Sequence, residues 1–251
     1  MTTRSRLHLT VYAPAMGQDD NRSVAVARGM ELALAGLSMA WRLSKEGHPI
    51  ALPQRDAWLA EAATRRKFPM LCNGDESYAI TVSGLETPAS QAPGARPLLD
   101  VHASLPLDAR IIEHAVPLLM AIAERAHAYW GHMSEDAFGL EISEQLRRSA
   151  DAPNVSPRGL PMLEMPEHLR SPAIPHFLGW LNYWSEAAAQ AIGFPDAARD
   201  SELLSRSRRT PSGGWVVQLT EAPLDYGNPE HIEALRRAYE RFPAIGGRDS
   251  R

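Results

Sequence analysis

LDVHASL, residues 99–105, alternates without a break: Leu99, Val101, Ala103 and Leu105 fall on one side, and Asp100, His102 and Ser104 on the other. A strand turns successive side chains to opposite faces, so this segment reads as a strand with one apolar and one polar face. Leu7, Leu9 and Val11 against His8, Thr10 and Tyr12 repeat the pattern, as do Ile80 and Val82 against Thr81 and Ser83. Residues 214–220 supply another strand, with Trp215, Val217 and Leu219 facing in. Parallel strands are buried on both sides and read as apolar runs, whereas a single polar face belongs to an antiparallel sheet covered on one side. The expected fold is therefore α+β, an antiparallel sheet with helices packed mainly on one face. The other face is expected to be open. There His8, Thr10, Tyr12, Thr81, Ser83, Asp100, His102, Ser104 and Gln218 would share a surface, either plain solvated sheet or a face suited to a partner.

The helices follow from caps and periodicity. Asp108 caps the longest pattern, with a stripe of Ile112, Val116, Leu119, Ala123, Ala126 and Trp130; Pro117 inside it predicts a kink or two helices in tandem. Ser23 is expected to cap a helix through Leu34 that ends at Gly36, and Asp56 one over residues 57–66 with a basic end at Arg65, Arg66 and Lys67. Between them, residues 37–43 and 48–52 read as short strands around a turn at Glu46-Gly47. Asn228 caps the last helix and Pro229 fills its first turn; Ile232, Leu235, Tyr239 and Phe242 make its buried stripe, with Glu233 and Arg237 as an i,i+4 pair.

The segment IPHFLGWLNYWSEAAAQAIGF, residues 174–194, holds five of the chain's 17 aromatic residues and is expected to be core. Phe177, Leu181, Trp184, Ala188 and Ala191 fall at helical spacing, with Pro175 at the start and Gly193 at the exit. An extended start leading into a shorter helix is the alternative, because a proline biases the preceding residue away from helical angles.

The 251 residues are enough for one large domain or two small ones. One domain over 1–251 is expected, with a subdivision into 1–150 and 172–247 around the proline-rich 151–171 as the alternative. Hydrophobic residues at 44% and charged residues at 22% are ordinary globular values, which excludes the collagen-like and disordered classes. A net charge of −4 speaks against direct nucleic-acid binding, and the one dense basic run, Arg206, Arg208 and Arg209, reads as a solvated loop. The lone Cys72 reads as a small buried hydrophobe, and nothing resembles a signal peptide or a membrane span, so a cytoplasmic protein is expected.

Motifs that carry chemistry are absent. Neither GxGxxG nor GxxxxGK[ST] occurs to cradle phosphate, GxSxG is missing, and so is HExxH. His127 and His132, with His114 upstream, are five apart and do not share a helical face. No catalytic residue, cofactor or metal is therefore expected. The acidic pairs Asp75 and Glu76, Asp19 and Asp20, and Glu135 and Asp136 sit in turn-like sequence, where binding a partner is a more natural use than acid–base chemistry. Trp41 and Tyr12 would be aromatic anchors if exposed.

The C-terminal third resembles the immunity protein 52 family of bacterial polymorphic toxin systems. The resemblance is carried by Pro175, Leu178 to Trp184 (LGWLNYW), Gly193-Phe194-Pro195, Gly214-Trp215, Leu219-Thr220, Pro223-Leu224-Asp225 and Glu230-His231. Tyr12 to Ala15, Phe68-Pro69 and Cys72 to Glu76 are similar to a related group of uncharacterised bacterial proteins. The resemblance implies a cytoplasmic, non-enzymatic α+β antidote that binds a cognate toxin, in this family often a nuclease, and the acidic pairs become its toxin-binding candidates.

Overall fold

A computed structural model describes residues 5–146 and 155–250. The strand over residues 98–106 lies in the middle of a ten-stranded sheet, fifth in its order, and the alternation that marks it sets the whole architecture. In chain order the elements are β1 (Arg6–Pro14), α1 (Arg22–Ala33), β2 (Trp41–Leu43), β3 (Pro49–Ala51), α2 (Arg55–Ala63), β4 (Leu71–Cys72), β5 (Thr81–Thr87), β6 (Leu98–Pro106), α3 (Ala109–Ala126), β7 (Trp130–Glu135), α4 (Phe138–Leu146), β8 (Leu181–Trp184), α5 (Glu186–Ile192), α6 (Ser201–Ser205), β9 (Arg208–Arg209), β10 (Trp215–Gln218) and α7 (Pro229–Arg241). The strands form one sheet in the order β3-β2-β4-β5-β6-β1-β7-β8-β10-β9. Every pairing in it is antiparallel, so the α+β expectation holds.

One face is apolar and carries the main helix. Leu7, Leu9, Val11, Val101, Ala103 and Leu105 are buried against Ile111, Ala115, Leu118, Ile122 and Ala126 of α3, and α1 packs on α3 in turn. Asp108 caps α3 as expected, its carboxylate accepting from the Ile111 amide at 2.9 Å. The helix runs through Pro117 as one element, and Trp130 lies beyond it in β7. The buried stripe is also displaced by one residue, since Ile111 and Ala115 face inward while Ile112 and Val116 are only half-buried.

Other caps differ from expectation. Asn21 precedes α1 and Ser23 is buried inside it, with its hydroxyl unpartnered among the described residues. Asp56 lies in the first turn of α2, where it bonds Arg55 and Arg28. In α7 Asn228 caps the Glu230 amide, but Glu233 pairs with Arg236, three residues on, rather than with Arg237.

The aromatic segment is core, and it follows the alternative of an extended start leading into a shorter helix rather than one helix throughout. Residues 174–180 are irregular, β8 takes Leu181–Trp184, and only Glu186–Ile192 is helical, capped by Ser185 and ended by Gly193. Pairing decides this: β8 finds partners on both sides, β7 and β10, so strand bonding supersedes the helical spacing. Gly179 permits the approach, because a Cβ there would stand 2.5 Å from Ser134 Oγ and 3.0 Å from the Met133 carbonyl oxygen.

The second face is covered over half its width. Tyr12, Trp130 and Trp184 are aligned across β1, β7 and β8; Trp130 stacks on Tyr12 at 4.2 Å, while Phe177, Phe138 and Phe242 lie over this row and its neighbour. The proline-rich segment is bound down from residue 155 on: Glu141 of α4, 1% exposed, accepts from Ser156 Oγ and from the Arg158 guanidinium, both at 2.9 Å. Residues 151–154 of the expected linker lie outside the described residues. β8 and β10, from beyond it, join the same sheet as β1. The sheet ends at exposed β9 on one side and at β3, which carries Pro49, on the other. Among the described residues no helix is long and apolar enough to cross a membrane.

Candidate functional site

Where the second face is open, over β5, β6 and β1, the register assembles rows of polar side chains. Thr81, Ser104, His8 and Ser134 form one row, and Ser83, His102, Thr10, His132 and Asn182 the next. Thr10 Oγ1 lies 3.0 Å from His102 Nδ1, and Arg6 donates through Nε to Ser104 Oγ and through its other arm to the Ala79 carbonyl, both at 2.7 Å. His8 Nε2 stands 2.6 Å from Asp136 Oδ1, and the other oxygen of Asp136 accepts from the Arg6 amide at 2.9 Å.

Burial grades the titration of these groups from the open side inward. His102 is exposed at the surface, yet the protein around it, then the nearby His8, depresses its pKa. His132 is buried beneath Phe138 and Phe177; desolvation first, then His102 and His8, pushes it down to about 3, so it is a neutral core imidazole. At the far end of β6, burial raises Asp100, partly offset by the Thr87 hydroxyl it accepts from at 2.7 Å. Desolvation and then Asp100 raise the Tyr12 phenol. The row can accept and donate hydrogen bonds to a partner, while only its outer members, His8 and His102, are accessible for proton transfer.

The three acidic pairs separate. β1 and β6 run antiparallel, and the strand ends nearest Arg6 also bring in the turn before β5 and the end of β7, so Asp75, Glu76, Glu135 and Asp136 gather at one end of the sheet. Asp225 adds to them, since Glu135 is raised by burial, then by Asp225 and Asp136. Asp19 and Asp20 follow Pro14, at the opposite end. Asp20 is committed to structure: it holds Arg22, whose guanidinium also donates to the carbonyls of Pro14, Ala15 and Ala126. The arginine hydrogen bonds and charge leave Asp20 with a depressed pKa despite the opposing effect of burial. Asp75 folds its own turn, accepting from Ser77 and from the Tyr78 amide, which lowers its pKa. Glu76 is exposed, with His48 of the neighbouring hairpin at 3.6 Å. Asp136 is exposed and held low by its hydrogen bond to His8, against a contrary burial effect.

Tyr12 and Trp41, considered as anchors, are half-buried; Tyr12 is stacked into the aromatic row and Trp41 lies against Gly74. His132, Ser134 and Arg6 were not anticipated as part of the polar rows, and of these His132 and Ser134 are buried. Gly131 and Met133 alternate with His132 and Ser134, a strand signal masked by the helical stripe that precedes it. Among the described residues no three His, Cys, Asp or Glu side chains are arranged to hold a metal.

A family model described as "Domain of unknown function (DUF5953)" matches residues 18–250. The fold is similar to that of a solved Pseudomonas aeruginosa structure described as T6SS protein PA0821, with a TM-score of 0.52, 16% identity, and coverage of 95% of this chain and 73% of that one. No curated protein matches the sequence.

Proposed function

The chain belongs to the DUF5953 family, and we propose that it is an immunity protein, which binds a cognate secreted toxin in the cytoplasm and neutralises it by occupation rather than turnover. The observation that carries this reading is the likeness of nearly the whole chain to a protein described by its secretion system. A cell that exports toxins needs antidotes to them. The resemblance of Leu178 to Trp184 and the segments around Gly214 and Pro223 to the immunity protein 52 family points the same way.

The toxin class follows from charge. Asp75, Glu76, Glu135, Asp136 and Asp225 give one end of the sheet an acidic rim, beside the hydrogen-bonding row of His8, His102 and Ser104. A nuclease presents a basic groove to its substrate, and an acidic surface covers such a groove and speeds encounter. The proposed partner is therefore a nuclease toxin, held at this end of the sheet.

The test is co-expression with products of neighbouring genes, scoring growth rescue and co-purification together. Rescue with a stable complex is expected. A folded protein that gives neither, against several neighbours, would overturn the proposal. The His8–Asp136 contact on an open face favours one other reading, an acid–base enzyme. Titrating toxin activity separates the two: a binder inhibits fully at one equivalent, whereas an enzyme does so well below it.

A further inference from the structure

α6 and α7 border a cleft of about 220 Å³ lined by four arginines: Arg199, Arg206, Arg237 and Arg241. Only two carboxylates, Asp200 and Glu202, share the lining. In a chain of net charge −4 this is a local inversion of sign.

Two of the four guanidiniums have their partners. Arg241 forks onto buried Asp200 at 2.6 and 2.9 Å, and Arg199 Nε donates to Asp196 at 2.7 Å. The other two have donors to spare. Arg206 reaches the Leu219 carbonyl at 3.0 Å and the exposed Glu202 at 3.2 Å through a single terminal nitrogen, while its Nε is buried and meets no acceptor among the described residues. Arg237 stands at the exposed rim, where among the described residues it is attracted through space to Glu233. The cleft is floored by buried Leu219 and Ala238.

A guanidinium presents its donors as a planar fork that matches phosphate and carboxylate oxygens, and it is desolvated more easily than an ammonium. We propose that this cleft binds the oxyanion group, phosphate or carboxylate, of a small ligand, with Arg206 as its principal donor and Arg237 closing the rim. The volume suits a small anion with a short apolar body on the Leu219 floor. The site is independent of the toxin-binding proposal, and its test uses no toxin.

The experiment is calorimetric titration of the purified chain with inorganic phosphate and, separately, with succinate, in chloride-matched buffer. The expected result is saturable binding of one equivalent of at least one of them, weakened about tenfold or more in Arg206→Gln and in Arg237→Ala. Arg237→Ala, at the exposed rim, keeps the test decisive where Arg206→Gln disturbs the fold. Phosphate binding without succinate binding assigns a phosphorylated ligand, and the reverse assigns a carboxylate. No saturable heat with either anion overturns the proposal, as does equal binding in wild type and the rim variant.

Discussion

Arg158→Ala is the sharpest probe of how the proline-rich segment is held. The substitution leaves the Glu141 carboxylate, 1% exposed, with the Ser156 hydroxyl as its donor among the described residues, and it also removes the bond from Arg158 Nε to the Tyr226 carbonyl. Removing one partner of a buried pair costs roughly 3–5 kcal/mol. Arg158 is itself 45% exposed, so water relieves part of the loss and about 3 kcal/mol is expected. For a chain of this size that corresponds to a fall of about 6–12 °C in melting temperature.

Urea unfolding followed by tryptophan fluorescence at pH 7.5 measures this loss. The double variant Glu141→Gln/Arg158→Ala should recover about half the loss at pH 7.5, because no charge is left buried. A single variant within about 0.5 kcal/mol of wild type, or a double variant no better than the single, would refute this account of the clamp.

His132, held neutral down to about 3, takes up no proton where the unfolded chain does, below about pH 6.5; stability should therefore fall by up to about 1.4 kcal/mol per pH unit from there downward. His132→Gln should flatten the stability–pH curve by about 2–3 kcal/mol between pH 7 and 4.5, and parallel curves for the two proteins would contradict the assignment. At Gly74, φ is +77° and a Cβ would lie 2.7 Å from the Trp41 ring, so Gly74→Ala should cost roughly 2–4 kcal/mol in urea unfolding. A loss under about 1 kcal/mol would mean that Trp41 moves aside freely. Glu76→Lys/Asp136→Lys should slow association with the proposed toxin partner about tenfold at low salt, with the gap closing as salt rises. Asp19→Lys, at the other end of the sheet, should not; equal slowing by all three changes would remove the acidic rim from the interface.

The period-two alternation of β1, β5 and β6 was legible because each of these strands has one wet and one dry face. Caps with a side chain that bonds the backbone, Asp108, Asn228 and Ser185, mark helix starts, two of them as read from sequence. What was lost is where both faces are buried. β7 and β8 lie under aromatic cover on one side and α3 on the other; the short alternation of β7 follows directly on the stripe of α3, and LNYW next to SEAAAQAI reads as one helix. Two-residue β4 is too short to show any period. The candidate site was half visible. Its polar row could be named from single strands, but which acids share an end depends on long-range pairing, and Asp20 could not be known to serve Arg22 until Ala126 was brought beside it.

The two borders of the sheet limit what can be recognised here. Pro49 in β3 has no amide hydrogen to offer, and β9 presents two charged side chains over only two residues. Neither border can template a further strand, so the sheet does not extend by copying itself and a visiting polypeptide gains little from main-chain bonding there. The recognition proposed above is then left to side chains on the open face, the strand-end turns and the arginine cleft. Such contacts are encoded one residue at a time, so partner choice can be rewritten by surface substitutions while the ten-stranded frame beneath stays as it is.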